Sequence, residues 1–297
     1  MTHRPRVLAG YDGTRPARHA LDWAAHQSAR RAWPLVISMA HPEAIDTHDI
    51  DPAATPAEAT VDSTDRADLH DAAREAQAAY PSLEIASHYV HDNAVAYLTE
   101  QTAAPGVVVI GTRGLGSVRA TLFGGVADKV AANARGPVVI VPQQPHRDGP
   151  IVVGVDGGAD QPAVQWALAE ARREGCALRL IRVQSQPPGP RTGAATERSD
   201  VGESLDSAAE QHAALVAAVR DQAPDLLVSG ECRQGDPATV LVAESRRARL
   251  LVVGSRGRGT LSGMVLGSVG RRVLRDTTCP TAVVPDDIAV ADLSRPD

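Results

Sequence analysis

The chain has 297 residues, 43% hydrophobic and 22% charged, with a formal net charge of −6. That is enough apolar material for the cores of two ordinary domains, which argues against disorder, and the acidic balance argues against a surface built to coat nucleic acid or anionic lipid. Aromatics make up only 3%, so the cores must be Val, Leu, Ile and Ala, the composition of buried parallel strands under Ala-rich helices.

A strand pattern begins at once with "RVLAGYDGT", residues 6–14, and the same pattern returns as "PIVVGVDGG", residues 150–158. Further along, "VVVIGTRGLG" (107–116) matches "LLVVGSRGRG" (250–259), and "RGPVVIVPQ" (135–143) matches "TCPTAVVPD" (278–286). The offset is 143 or 144 residues each time, too long for a solenoid repeat, so the chain reads as a duplicated domain. The halves are residues 1–145 and 146–297, with the seam in the polar stretch Gln143–Gly149. In the second half the expected order is a strand at 151–155, a helix near 162–174, a strand at 177–183 and a helix around 205–221. A strand at 226–231, a helix at 238–246, a strand at 250–253, a helix near 268–275 and a strand at 281–284 complete it, and the first half repeats the scheme. Such alternation predicts an α/β fold of two repeated doubly wound domains, each a mostly parallel five-stranded sheet with helices on both faces. Two stretches without a strand pattern, His41–Asp71 and the shorter Gln186–Glu203, read as loops over the pocket.

Ligands in such sheets sit beyond the carboxyl ends of the strands. Asp12 and Asp156 close the first strand of each half, and glycine-rich loops close the fourth. Several familiar motifs fail there. Lys129 is the only lysine and follows Asp128, so there is no P-loop. The glycine loop comes after the wrong strand for a dinucleotide fingerprint, and "LGSVG" (266–270) has Leu266 where a nucleophile elbow requires glycine. "YDGT" is similar to the DxDGT loop of haloacid-dehalogenase-type phosphatases, but Gly10 and Gly154 stand where the nucleophile belongs.

What recurs is Gly111-x-x-Gly114, nine residues, then Gly124-Gly125, and Gly254-x-x-Gly257, nine residues, then Gly267-Ser268. Glycines let a phosphate approach backbone N–H groups, the following helix start adds free amides and its positive dipole end, and Arg113 and Arg256 supply charge in place of a lysine.

The strand-one Asp, the G-x2-G-x9-G-[ST] loop and the closing "CPTAVVP" strand resemble the universal stress protein family in its tandem form, over residues 6–143 and 150–286. The resemblance implies adenine-nucleotide binding between the first and fourth strands. Asp156 is then expected at the adenosine, Val183 beside adenine, and Gly254, Arg256, Gly257, Gly267, Ser268 and Val269 at ribose and phosphates. The matching positions of the first half are Asp12, Ala40, Gly111, Arg113, Gly114, Gly124, Gly125 and Val126. Gly125 lacks the motif's hydroxyl and Ala40 is smaller than Val183, so the second site is expected to be the tighter. The implied ligand is ATP, with which Mg²⁺ can arrive. No general base stands in the nine-residue spans, so little or no hydrolysis is expected. The leading reading is thus an ATP-binding regulatory protein of the stress response. Its alternatives are an enzyme using ATP on a small substrate and a nucleotide-free interaction module.

The remaining features read as structural. No apolar run approaches the 18 or so residues of a membrane span, and Cys176, Cys232 and Cys279 lie far apart, implying reduced thiols and a cytoplasmic location. Trp23 and Trp166 recur as core anchors. His88 and His91 read as surface residues, and the arginines at 246–249 and 271–272 as solvated helix faces, with no nucleic-acid groove. No metal ligands are expected. The terminal strands at 138–141 and 281–284 are apolar edges able to pair within one chain as an intramolecular pseudo-dimer or between chains as a homodimer; a protein partner is expected but unnamed.

Overall fold

The computed structural model of the protein describes residues 4–41, 56–112, 125–143, 148–159, 161–184, 198–255 and 266–288, with backbone alone for 56–62 and 198–206. It divides into two compact units, residues 1–145 and 146–296.

Unit 1 runs β1 (Arg6–Gly10), α1 (Arg15–Arg31), β2 (Leu35–His41), α2 (Pro56–Ala79), β3 (Ile85–His91), α3 (Ala94–Gln101), β4 (Gly106–Gly111), α4 (Val126–Asn133) and β5 (Val138–Val141). Every strand pairing within it is parallel, in the order β3-β2-β1-β4-β5. Unit 2 repeats this with β6 (Ile151–Val155), α5 (Pro162–Glu174), β7 (Leu178–Gln184), α6 (Arg198–Gln222), β8 (Val228–Gln234), α7 (Pro237–Ser245), β9 (Leu250–Gly254), α8 (Ser268–Asp276) and β10 (Thr281–Val284). Its order is β8-β7-β6-β9-β10, again all parallel. The α/β expectation of five parallel strands per half holds.

The central strands are continuous aliphatic runs because both of their faces are covered. Val7, Leu8, Ala9, Val107–Ile110 and Val138–Val141 are at most 5% exposed, as are Ile151–Val153, Leu250–Val253 and Ala282–Val284. Two glycines show which helix lies on which face. A Cβ on Gly10 would meet Leu98 of α3 at 3.2 Å, and one on Gly154 would meet Leu241 of α7 at 3.0 Å. The positions where a phosphatase carries its nucleophile therefore serve here as seats for a leucine. On the other face lie α1 and α2 in unit 1, and α5 and α6 in unit 2, with Trp23 and Trp166 buried beneath them.

The two stretches expected to be loops are partly helix. α2 takes in residues 56–71 of the first, and α6 begins at Arg198, inside the second. Both segments are Ala-rich with few β-branched residues and one sparse apolar stripe, Leu69, Ala72 and Ala76 in α2, which is a helical pattern and carries no strand signal. The outer strand β8 also starts later and reaches further than expected, into Cys232–Gln234, because an edge strand tolerates polar side chains. His88 and His91 are both exposed. All three cysteines are free, and burial pushes the Cys279 thiol up to about 12, which leaves it protonated.

Candidate functional site

Strand order reverses at β1 in unit 1 and at β6 in unit 2, so the crevices between β1 and β4 and between β6 and β9 are the topological switch points. Asp12 and Asp156 stand at these openings, but their surroundings differ. Asp12 is exposed, and its Oδ1 accepts from the Thr14 amide at 3.2 Å and the Thr14 hydroxyl at 2.5 Å. Gly13 takes a positive φ of 73° in this turn, and Thr14 caps α1 by accepting from the Ala17 amide at 3.4 Å. Asp156 is half-buried and accepts from the side-chain amide of Gln161 at 2.9 Å. Thr14 and Gln161, which fix the two carboxylates, were not legible as site residues beforehand. The D-x-T spacing ahead of Pro16 is the signal that would have found the first.

Gly111 ends β4 directly beneath the first turn of α1. A Cβ there would stand 2.5 Å from the Pro16 carbonyl oxygen and 3.0 Å from the Ala17 nitrogen. Its first job is therefore to let helix and strand touch, which brings the Asp12 turn and the end of β4 to one place. Beside it, Tyr11 is 3% exposed, its hydroxyl lacks a hydrogen-bond partner among the described residues, and burial pushes its phenol above the usual range against the opposing pull of Arg18. Ala40 and Val183 lie half-buried at the ends of β2 and β7, on the faces that carry α3 and α7.

At the far end of the glycine loops, Gly125 is the N-cap of α4 and Gly267 the N-cap of α8, and neither helix has a side-chain cap. By contrast Thr14, Asn93 and Asp236 cap α1, α3 and α7 with their side chains. First-turn N–H groups have no carbonyl inside their own helix, so Val126 in unit 1 and Ser268, Val269 and Gly270 in unit 2 present donors at this end. Gly267 does not present its own, because its amide donates to the Ser255 carbonyl at 3.0 Å. That bond, with Ser255 and Leu266 at 2% and 1% exposure, ties the start of α8 to the end of β9. Ser268 is the first helical residue of α8, whereas Gly125 precedes the first helical residue of α4. The buried pair Val130 and Val273 nevertheless keeps the offset of 143, so Gly125 and Ser268 do correspond and α8 simply opens one residue earlier. A Cβ on Gly125 would meet nothing within 4 Å.

Arg113, Gly114, Gly124, Arg256 and Gly257, with the nine-residue spans apart from Leu266, lie outside the described residues. The structure thus brings together Asp12, Gly111, Gly125 and Val126 at the carboxyl end of one sheet, and Asp156, Gly254, Gly267, Ser268 and Val269 at that of the other.

The sequence profile of the Universal stress protein family matches residues 3–142 and again 149–285. A universal stress protein of Mycolicibacterium smegmatis is 29% identical over 300 residues, covering 94% of this chain and 96% of its own. One from Mycobacterium tuberculosis strain H37Rv is 30% identical over 295 residues, covering 93% and 96%. Among solved structures, a universal stress protein from Archaeoglobus fulgidus superposes with a TM-score of 0.65 at 18% identity, over 95% of this chain and 98% of that one, which shows the shared fold. The chain belongs to the universal stress protein family, with the family domain present twice. Among the described residues no helix is long and apolar enough to cross a membrane, and no group of three or more His, Cys, Asp or Glu side chains is placed to hold a metal.

Proposed function

We propose that the protein is an ATP-binding regulator of the stress response with one nucleotide site per half, at 1–145 and 146–297, acting in the cytoplasm. The observation that carries this reading is the pairing, in both units, of a carboxylate turn after the first strand with a side-chain-uncapped helix start after the fourth. A carboxylate at a switch point accepts from ribose or base donors, and free amides at a helix start donate to phosphate. In unit 2, Asp156 and Val183 face the nucleoside, while Gly254, Arg256, Gly257, Ser268 and Val269 hold ribose and phosphates, with Gly267 acting as the tie to Ser255. Asp12, Ala40, Gly111, Arg113, Gly114, Gly124, Gly125 and Val126 do the same work in unit 1. Each hydrogen bond to charged phosphate contributes about 1.5–3 kcal/mol, so three or four carry most of a micromolar site, roughly 8 kcal/mol. Any Mg²⁺ travels with the phosphates. The leucines seated on Gly10 and Gly154 support binding over phosphoryl chemistry, because they occupy the place a nucleophile needs.

The test is small-molecule mass spectrometry of nucleotide released from the purified full chain, followed by calorimetric titration with ATP and a hydrolysis assay. Co-purified or titratable ATP with little turnover is expected. Turnover that depends on an added substrate would replace this reading with the enzyme, and no binding at millimolar ATP would replace it with the interaction module.

A further inference from the structure

Unit 2 buries a basic pair where unit 1 buries hydrocarbon. At the offset of 143, Arg182 takes the position of Met39 and His212 that of Leu69. Arg182 on β7 is 7% exposed and His212 on α6 is 4% exposed, against 4% and 2% for their counterparts. Gly230 of β8 makes the room: a Cβ there would stand 2.8 Å from His212 Nε2 and 2.2 Å from Val216 Cγ2.

Among the described residues, neither ring nitrogen of His212 has a hydrogen-bond partner. The guanidinium of Arg182 reaches Gln211 Oε1 at 3.5 Å, and among the described residues no carboxylate pairs with it. The other charged and titratable groups bordering this interface do not help. β8 presents the Cys232 thiol on the same face, while Glu231 and Arg233 point to the opposite face and pair with Arg179 of β7 and Glu244 of α7. Arg220, two turns along α6, donates its Nε to the Val228 carbonyl at 2.9 Å. Arg172 of α5 is engaged at the far end of α6, with the Gln222 carbonyl at 2.6 Å and Asp225 at 3.4 Å. Burial and then the Arg182 charge hold His212 below its ordinary 6.5; the Leu180 carbonyl opposes them without reaching hydrogen-bond geometry.

We propose that His212 and Arg182 form an acid-sensitive latch between α6 and the sheet of unit 2, in which proton uptake by His212 puts two unpaired cations into one dry interface and releases α6 from β7 and β8. The sign follows from linkage. Above about pH 6.5 the imidazole is neutral whether α6 is docked or released, and docking is unaffected. Below it the released form takes up the proton while the docked form resists. The balance then moves toward release by up to about tenfold per pH unit, until the pH reaches the depressed value of the docked state. Unit 1, with Met39 and Leu69, lacks this device at the same place.

Hydrogen exchange of the full chain read by mass spectrometry at pH 7.5, 6.5 and 5.5, corrected for intrinsic rates, tests it through the α6 peptides. Wild type is expected to show α6 opening that rises up to about fivefold between pH 6.5 and 5.5. H212L, which installs the unit 1 residue, should remove that rise, and R182M should shrink it by easing proton binding at His212. If H212L does not fold, R182M and an NMR titration of the His212 ring carry the test. Unchanged α6 protection across this range, an unaltered rise in both variants, or a His212 titration at or above 6.5 would overturn the proposal.

Discussion

The two units share a strand order, a register and a site plan, yet they hold their carboxylates differently. Asp12 is spent on its own turn, bonded to both the amide and the hydroxyl of Thr14, while Asp156 accepts from the side chain of Gln161 and stays half-buried. The same contrast appears at the bottom of α3 and α7. In unit 1, Gln101 accepts from Arg6; in unit 2 the corresponding Glu244 pairs with Arg179 and Arg233, each at a short distance of 2.8–2.9 Å. Duplication has kept the backbone and let the polar chemistry drift, so at this position unit 1 uses a neutral acceptor where unit 2 uses an ion-pair network. Variants in one unit and not the other separate these two strategies.

The largest effect is expected at Gly111. A methyl group there lies within 2.5 Å of a carbonyl oxygen in the first turn of α1, and backbone cannot yield as a side chain can. G111A should cost unit 1 about 3 kcal/mol or more and loosen the Asp12 turn, leaving unit 2 near wild type. Hydrogen exchange resolved by peptide checks it: β1 and β4 should open and β6 and β9 should not. Equal protection in both units would mean that α1 sits further from β4 than described.

Next comes Glu244. Its side chain is 9% exposed, while Arg179 and Arg233 are 29% and 34% exposed and can rehydrate. E244Q reproduces the residue of unit 1 and is expected to cost unit 2 about 1–3 kcal/mol, read from denaturant unfolding. Glu231, which shares both arginines, is held below the usual carboxylate range chiefly by its hydrogen bond to Arg233. Its stabilising contribution is complete above about pH 4.5 and is lost as the pH falls through the lower folded value. Being largely solvated, that contribution is small. A charge-neutral substitution with no effect on stability would show that the network only covers the sheet edge.

Much of this was legible in the sequence because the signals were duplicated. The match of "RVLAGYDGT" to "PIVVGVDGG" located β1 and β6 and both carboxylates at once, and aliphatic runs marked every central strand. The failures have a common physical cause. α2 and the start of α6 lack a broad apolar face, and the polar edge strand β8 lacks one too, so their order comes from docking against neighbours and not from local pattern. Thr14 and Gln161 were hidden because their role is to hold a neighbouring carboxylate, which depends on turn geometry. The glycine at 267 was read as an amide for phosphate, whereas its N–H is taken by Ser255. The glycine at 10 and its repeat at 154 were read only for the nucleophile they lack, when each is needed for a leucine.

The last effects are on binding and not on folding, and concern the hydroxyl that the two halves do not share. S268G removes a side chain from the first turn of α8 and leaves its amide, so a lost bond to phosphate of about 1.5–3 kcal/mol means some ten- to hundredfold weaker ATP binding in unit 2. The reverse change is less symmetrical than the alignment suggests. Gly125 is the N-cap of α4, with φ −62° and ψ 168°, and nothing stands within 4 Å of a new Cβ, so a serine fits without strain. An N-cap serine turns its oxygen toward the helix's own first-turn amides, which stabilises α4 by a few tenths of a kcal/mol. The same bond competes with an anion for those donors. G125S is therefore expected to tighten ATP binding in unit 1 by clearly less than S268G weakens it in unit 2. Titration of both variants with site-resolved exchange checks this; equal and opposite changes would show that the serine serves the ligand and not the helix.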